Sequence, residues 1–135
     1  MTEMERQLLS ALESLQTSYE QQQQAWQDSY SNLQRMFETT SQALERNDTD
    51  AAYAWLERAH ILSQRMPLRH AESHWLMLRA GWQARDWREV AGQLPRILAA
   101  LLFSRIWAPL GNTGRARVSA FQPMPLSEEL KRLLV

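Results

Sequence analysis

The sequence predicts an all-α protein, and three observations carry that prediction. Residues 5–38 contain no glycine and no proline, and their apolar positions recur at alternating spacings of four and three. Residues that end or cap helices then recur at Asn47-Asp48-Thr49-Asp50, at Pro67 and at Arg85-Asp86. The stretches between these breaks again place apolar residues three and four apart.

The first helix is expected over residues 5–38. Leu8, Leu12, Leu15, Tyr19, Gln22, Trp26, Ser29, Leu33 and Met36 form a coiled-coil seam, polar at Gln22 and Ser29. Such a stripe demands a covering helix, either from a second copy of the chain or from the helices that follow. The Gln21–Gln24 run falls within the helical period and reads as a solvated face. A second helix is expected from about Ala51 to Met66, capped by Asp48, Thr49 or Asp50 and limited by Pro67. A third runs from about Leu68 to Ala84, with Trp75, Leu78 and Trp82 on its apolar side. A fourth covers roughly Trp87 to Trp107, with Val90, Leu94, Ile97, Leu98, Leu101, Leu102 and Ile106 turned inward. Pro95 either restarts or kinks it.

Asp48 and Asp86 each precede apolar residues at offsets of four, eight and eleven, the pattern of tetratricopeptide-like helical hairpins. Trp55, Trp75, Trp82 and Trp87 are expected to fill the core, and Trp107 to face solvent or a partner. Beyond Pro109 the chain becomes an extended tail. Gly111-Asn112-Thr113-Gly114 forms a turn, Val118–Phe121 reads as extended, and Ser127 caps a short last helix.

Composition narrows the function classes. The 135 residues suit one compact domain with an appendage, divided here into a coiled-coil helix over 1–41 and a helical domain over 42–135. With no cysteine, disulfides, thiolate metal sites and cysteine nucleophiles are excluded. The start lacks a basic stretch followed by an apolar run, and Ile97–Phe103, the longest apolar run, is too short to cross a bilayer. A cytoplasmic protein is the expectation. The formal net charge is zero, yet residues 1–50 hold nine acids against three arginines and residues 51–135 six acids against twelve bases. The halves stand at −6 and +6, so they can attract each other between subunits.

Four groups of residues bear on chemistry. His70 and His74 leave one face of a helix one turn apart, and His60 lies on the preceding helix. With Glu57 or Glu72 they can hold a divalent transition metal. The competing reading makes His60 a core histidine and leaves His70 and His74 on the surface. The Gly111–Gly114 turn, with Arg115 and Arg117, offers either an anion-binding backbone or a structural turn. Arg58, Arg65, Arg69, Arg79, Arg85 and Arg88 read as a solvated face, because Glu57, Glu72 and Glu89 interleave with them and no DNA-binding motif accompanies them. Ser104, Ser119 and Ser127 have no histidine–acid arrangement beside them, so no catalysis is expected.

Two resemblances add to this. Met1-Thr2-Glu3, Gln7-Leu8-Leu9-Ser10-Ala11-Leu12-Glu13, Leu15-Gln16 and Leu33-Gln34-Arg35-Met36-Phe37 resemble the short coiled-coil mobilisation proteins of small plasmids, over residues 1–41. Leu56-Glu57-Arg58-Ala59-His60-Ile61-Leu62, Gln64, His70, His74, Met77-Leu78, Gly81, Asp86, Glu89-Val90, Gly92-Gln93, Gly111–Gly114, Val118–Phe121 and Pro123-Met124-Pro125 resemble an uncharacterised bacterial family, over about 44–134. That family's genes often neighbour heavy-metal and mercury resistance genes. The resemblance implies a helical bacterial protein and hands over no activity. Arg115 and Arg117 depart from it, standing where the family tends to have small or amide residues.

From these residues the expected function is a non-enzymatic interaction or adaptor module working through the seam of Leu8, Leu12, Leu15, Tyr19, Trp26, Leu33 and Met36. The alternatives are a metal-binding accessory protein of a metal-resistance system using His60, His70 and His74, or a small regulator or inhibitor of a nucleic-acid-processing complex. No resident cofactor is expected beyond a divalent metal.

Overall fold

The computed structural model describes residues 1–104, 106 and 111–134, and five α-helices with no strand make up its regular structure. They are α1 (Glu3–Glu45), α2 (Thr49–Ser63), α3 (Pro67–Gln83), α4 (Trp87–Phe103) and α5 (Glu128–Leu133). Helix α1, at 43 residues, is about 65 Å long. It starts from a capping box: the Thr2 hydroxyl accepts from the Glu5 amide at 3.1 Å, and the Glu5 carboxylate accepts from the Thr2 amide at 2.5 Å. It passes residues 41–42 unbroken.

The joints α1–α2 and α3–α4 are built alike. In the first, the Asn47 amide donates to the Leu44 carbonyl and the Asp48 amide to the Ala43 carbonyl; in the second, Arg85 donates to Trp82 and Asp86 to Gly81. This is the Schellman closure, and Asn47 and Arg85 both take φ of 56° to make it. Asp48 and Asp86 then turn their carboxylates onto the Ala51 and Glu89 amides and start the next helix. Met66, ahead of Pro67, is extended, so α2 stops and α3 begins with proline in its first turn.

Helices α1, α2 and α3 enclose an apolar core of Leu33, Met36, Phe37, Leu44, Ala52, Leu56, Ala59 and Met77. Leu33 and Met36, the last seam positions, are buried there. Leu8, Leu12, Leu15, Tyr19 and Trp26 of the same seam stay exposed, because α1 projects past the body. Helix α5 returns to lie against α2, and the Ser29 hydroxyl of α1 donates to the Leu133 carbonyl at 3.3 Å.

Helix α4 reverses its expected orientation. It buries Glu89, Gln93 and Ala100 and leaves Leu94, Leu98, Leu101 and Leu102 exposed, with Ile106 beyond it also exposed and Val90 and Ile97 only half-buried. The inner face was claimed by side chains with hydrogen-bonding partners inside the body. The leucine face was left over. Pro95 does not restart α4, which runs through it from Trp87 to Phe103. The tryptophans also differ from expectation. Trp75, Trp82 and Trp87 are exposed, the last two packed edge-to-face at 5.1 Å, and Trp55 is half-buried beneath the Arg58 guanidinium. Trp107 lies outside the described residues.

Val118–Phe121 is not extended. Val118 donates to the Arg115 carbonyl and Gln122 to that of Ser119, which closes successive turns. Residues 111–121 form a belt across α2 and α4. Arg96 of α4 ties it down, donating to the carbonyls of Gly114 at 2.9 Å and Val118 at 2.7 Å and also to that of Arg115.

Candidate metal centre

The three histidines of the chain meet in the interior. His60 comes from the C-terminal half of α2, and His70 and His74 from successive turns of α3. All are buried: His60 and His74 are 3 % exposed and His70 9 %. This overturns the alternative that would have left His70 and His74 on the surface. An antiparallel α2–α3 pair joined by a short link brings the second turn of α3 opposite the last turns of α2, so the three rings share one level.

Their Nε2 atoms form a small triangle, with sides of 2.9 Å (His60–His70), 3.1 Å (His70–His74) and 3.2 Å (His60–His74). The outward nitrogens decide what fills it. The Nδ1 of His60 lies 2.8 Å from the Asn112 carbonyl oxygen, which can only accept. The Nδ1 of His74 lies 2.6 Å from Gln93 Oε1, and the Gln93 amide is oriented by its own two donations, to Glu89 Oε1 at 2.7 Å and the Gly114 carbonyl at 2.9 Å. The Nδ1 of His70 lies 2.7 Å from the Ser104 hydroxyl, whose proton is given to the Ala100 carbonyl. Each Nδ1 therefore carries the proton, and three Nε2 lone pairs point at one another.

Three converging lone pairs repel unless a cation sits among them. With metal–nitrogen bonds of about 2.0–2.1 Å, a tetrahedral site sets its ligand nitrogens about 3.3 Å apart. At such bond lengths an ion held by the observed triangle would sit about 1 Å above its plane. The outward hydrogen bonds to carbonyl, amide and hydroxyl oxygens are the kind that fix ligand orientation at metal sites. Burial holds all three rings in the neutral form a ligand needs: His70 is pushed down to about 4 and His74 to about 3, and His60 falls well below the ordinary imidazole range, with the neighbouring rings adding to the effect.

Other expected participants stand elsewhere. Glu57 does not join the cluster; its carboxylate pairs with Arg115 Nη1 at 3.3 Å, and Glu72 pairs with Arg69 at 2.7 Å. Glu89, fully buried, accepts from the Gln93 amide at 2.7 Å and the Ala116 amide at 3.2 Å, and its charge is balanced by the Arg115 guanidinium, whose Nε lies 3.2 Å away without hydrogen-bonding. Arg115 also stacks 3.6 Å over Tyr53, whose phenol is raised to about 12 by burial and by Glu89. Arg117 clamps Asp86. So the two arginines that looked like anion binders neutralise acids of the body.

The Gly111–Gly114 turn serves the histidines. Gly111 and Gly114 take φ of 77° and 80°. The Gly114 amide is taken by Asn112 Oδ1 at 2.9 Å, and the turn presents carbonyls inward, to His60, Gln93 and Arg96. A carbonyl lining suits donors and cations, not an anion. A Cβ at Gly114 would lie 2.7 Å from His60 Nε2, so this glycine is also what lets the belt close over the ring.

Gln93 and Arg96 were given no role by the sequence, and Ser104, expected to have no histidine beside it, meets His70 Nδ1 at 2.7 Å. A signal existed in Glu89 and Gln93, polar residues one turn apart in a leucine-rich helix, whose pairing makes that face the inner one. A cavity of about 280 Å³ adjoins the three rings, walled by Ala99, Phe103, Ile106 and Phe121 with Arg96 beside it.

No helix among the described residues is long and apolar enough to cross a membrane. No curated protein and no solved structure matches the chain. A family model described as Protein of unknown function (DUF3703) matches residues 25–134, from the middle of α1 through α5 and including all three histidines, and the chain belongs to that family.

Proposed function

We propose that this protein binds one divalent transition metal ion per chain through His60, His70 and His74, with zinc the first choice. The observation that carries the reading is the triangle of three Nε2 lone pairs within 3.2 Å, each ring fixed from behind by its Nδ1 hydrogen bond. Three imidazoles without a thiolate select borderline ions, zinc, copper, nickel or cobalt, over soft ones. The resemblance to proteins encoded near metal-resistance genes agrees with such a cargo. Calorimetric titration of the metal-free chain with zinc is expected to give one ion per chain, with a rise in melting temperature. Binding at another stoichiometry, or unchanged in His60→Ala and His74→Ala, overturns the reading.

A second reading rests on a separate observation. Leu8, Leu12, Leu15, Tyr19 and Trp26 are each more than half exposed along one stripe whose continuation, Leu33 and Met36, is buried. We infer that a second copy of the chain covers it. The seam spacing is that of a self-pairing helix, and the opposite charges of the two halves favour docking of one copy's α1 on the other's body. Light scattering is expected to give a dimer or larger, reduced to the monomer by Leu12→Asp or Leu15→Asp. A monomer at high concentration overturns it. The reading as a regulator or inhibitor of a nucleic-acid-processing complex rests on the mobilisation-like start and the charge split alone.

A further inference from the structure

We infer that the fourth coordination position of the tri-histidine centre takes a small exogenous carboxylate with an apolar body, of benzoate size; this rests on the metal reading above. Structural zinc sites are closed by a fourth protein ligand, whereas sites that receive external ligands keep one position open. Among the described residues no further histidine, aspartate or glutamate joins His60, His70 and His74 in the cluster. The nearby acids are held by Arg115, Arg69 and the Gln93 and Ala116 donors. The belt comes close to the His60 ring at Gly114, and the cavity offers the other approach.

The charge at that position calls for an anion. Three neutral imidazoles leave a divalent ion its full charge, the half-buried Arg96 guanidinium lines the same cavity, and among the described residues no carboxylate does. The walls call for an apolar body. Phe103, Ile106 and Phe121, each more than half exposed, gather at this cavity instead of scattering over the surface. At about 280 Å³ it stands at the lower bound of small-molecule sites, which limits the ligand to one ring or a short chain.

The test uses the full chain loaded with cobalt(II), whose visible bands report coordination. Benzoate is expected to change the bands saturably and to bind about tenfold tighter than acetate, which shares the carboxylate without the ring. Benzylammonium, with the ring and the opposite charge, is expected to leave them unchanged. Phe103→Ala, at an exposed position, is expected to remove the preference for benzoate while acetate binding stays the same. A cobalt spectrum that benzoate leaves unaltered overturns this inference and leaves the metal centre standing. Equal affinity for benzoate and acetate overturns the apolar pocket. Failure to bind cobalt at all overturns both readings together.

Discussion

The molecule has two interiors, and they are made on opposite principles. Between α1, α2 and α3 the buried side chains are Leu33, Met36, Phe37, Leu44, Leu56 and Met77. Between α2, α3, α4 and the belt they are His60, His70, His74, Glu89, Gln93, Ser104 and Asn112. Helices α2 and α3 belong to both, apolar on one face and polar on the other. The first interior gains from leaving water and needs little more than matching volume. The second gains nothing from desolvation and persists through the hydrogen bonds that hold each imidazole Nδ1, the Gln93 amide and the Glu89 Oε1 atom. The contrast teaches that burial has two functions here, and that the leucines of α4 are outside because the site took the inside.

Acid separates the two most strongly. In chelator-treated protein the histidine pKa values lie below the unfolded value of about 6.5. As the pH falls through 6.5 the unfolded chain takes up protons that the folded chain refuses. Folding stability therefore drops, down to about pH 4 for His70 and about 3 for His74. Each such histidine removes about 1.4 kcal/mol per pH unit within its window. Urea denaturation at pH 7.5, 6 and 5 checks this, and a flat profile would mean the rings are not buried neutral.

Next in size is Leu56→Ala in the apolar interior. It is expected to lower unfolding free energy by about 2–5 kcal/mol while zinc affinity in the folded protein is unchanged. Gln93→Leu does the converse: about 10–100-fold weaker zinc binding by calorimetry, because the His74 Nδ1 proton loses its acceptor. If Leu56→Ala weakened zinc as much as Gln93→Leu, the two interiors would not be separable. The smallest effects fall on the twin joints. Asp48→Ala is expected to cost about 1 kcal/mol for a lost cap. Asp86→Ala costs more, since Asp86 also pairs with Arg117. Thermal denaturation of both variants ranks them.

Much was legible beforehand. The helix joints were, because Asp48, Pro67 and Asp86 act within a few residues of themselves, and so was the Ser127 cap of α5. The three histidines and the Gly111–Gly114 turn were singled out, yet the link between them was not, since a carbonyl 52 residues from His60 in sequence leaves no local trace. The face of α4 was misread for the same reason. Hydrophobic periodicity finds which side of a helix is apolar, and assigning that side to the interior assumes that burial follows hydropathy.

The sequence by itself determined the helices, their ends and the residue types able to bind a metal, for these depend on near neighbours and on spacing. Tertiary structure alone decided that three imidazoles meet, which proton each carries, that Glu57 is spent on Arg115, and which half of the α1 seam is covered. Those outcomes depend on competition for partners across the whole fold, where a buried hydrogen bond left unmade outweighs an exposed leucine.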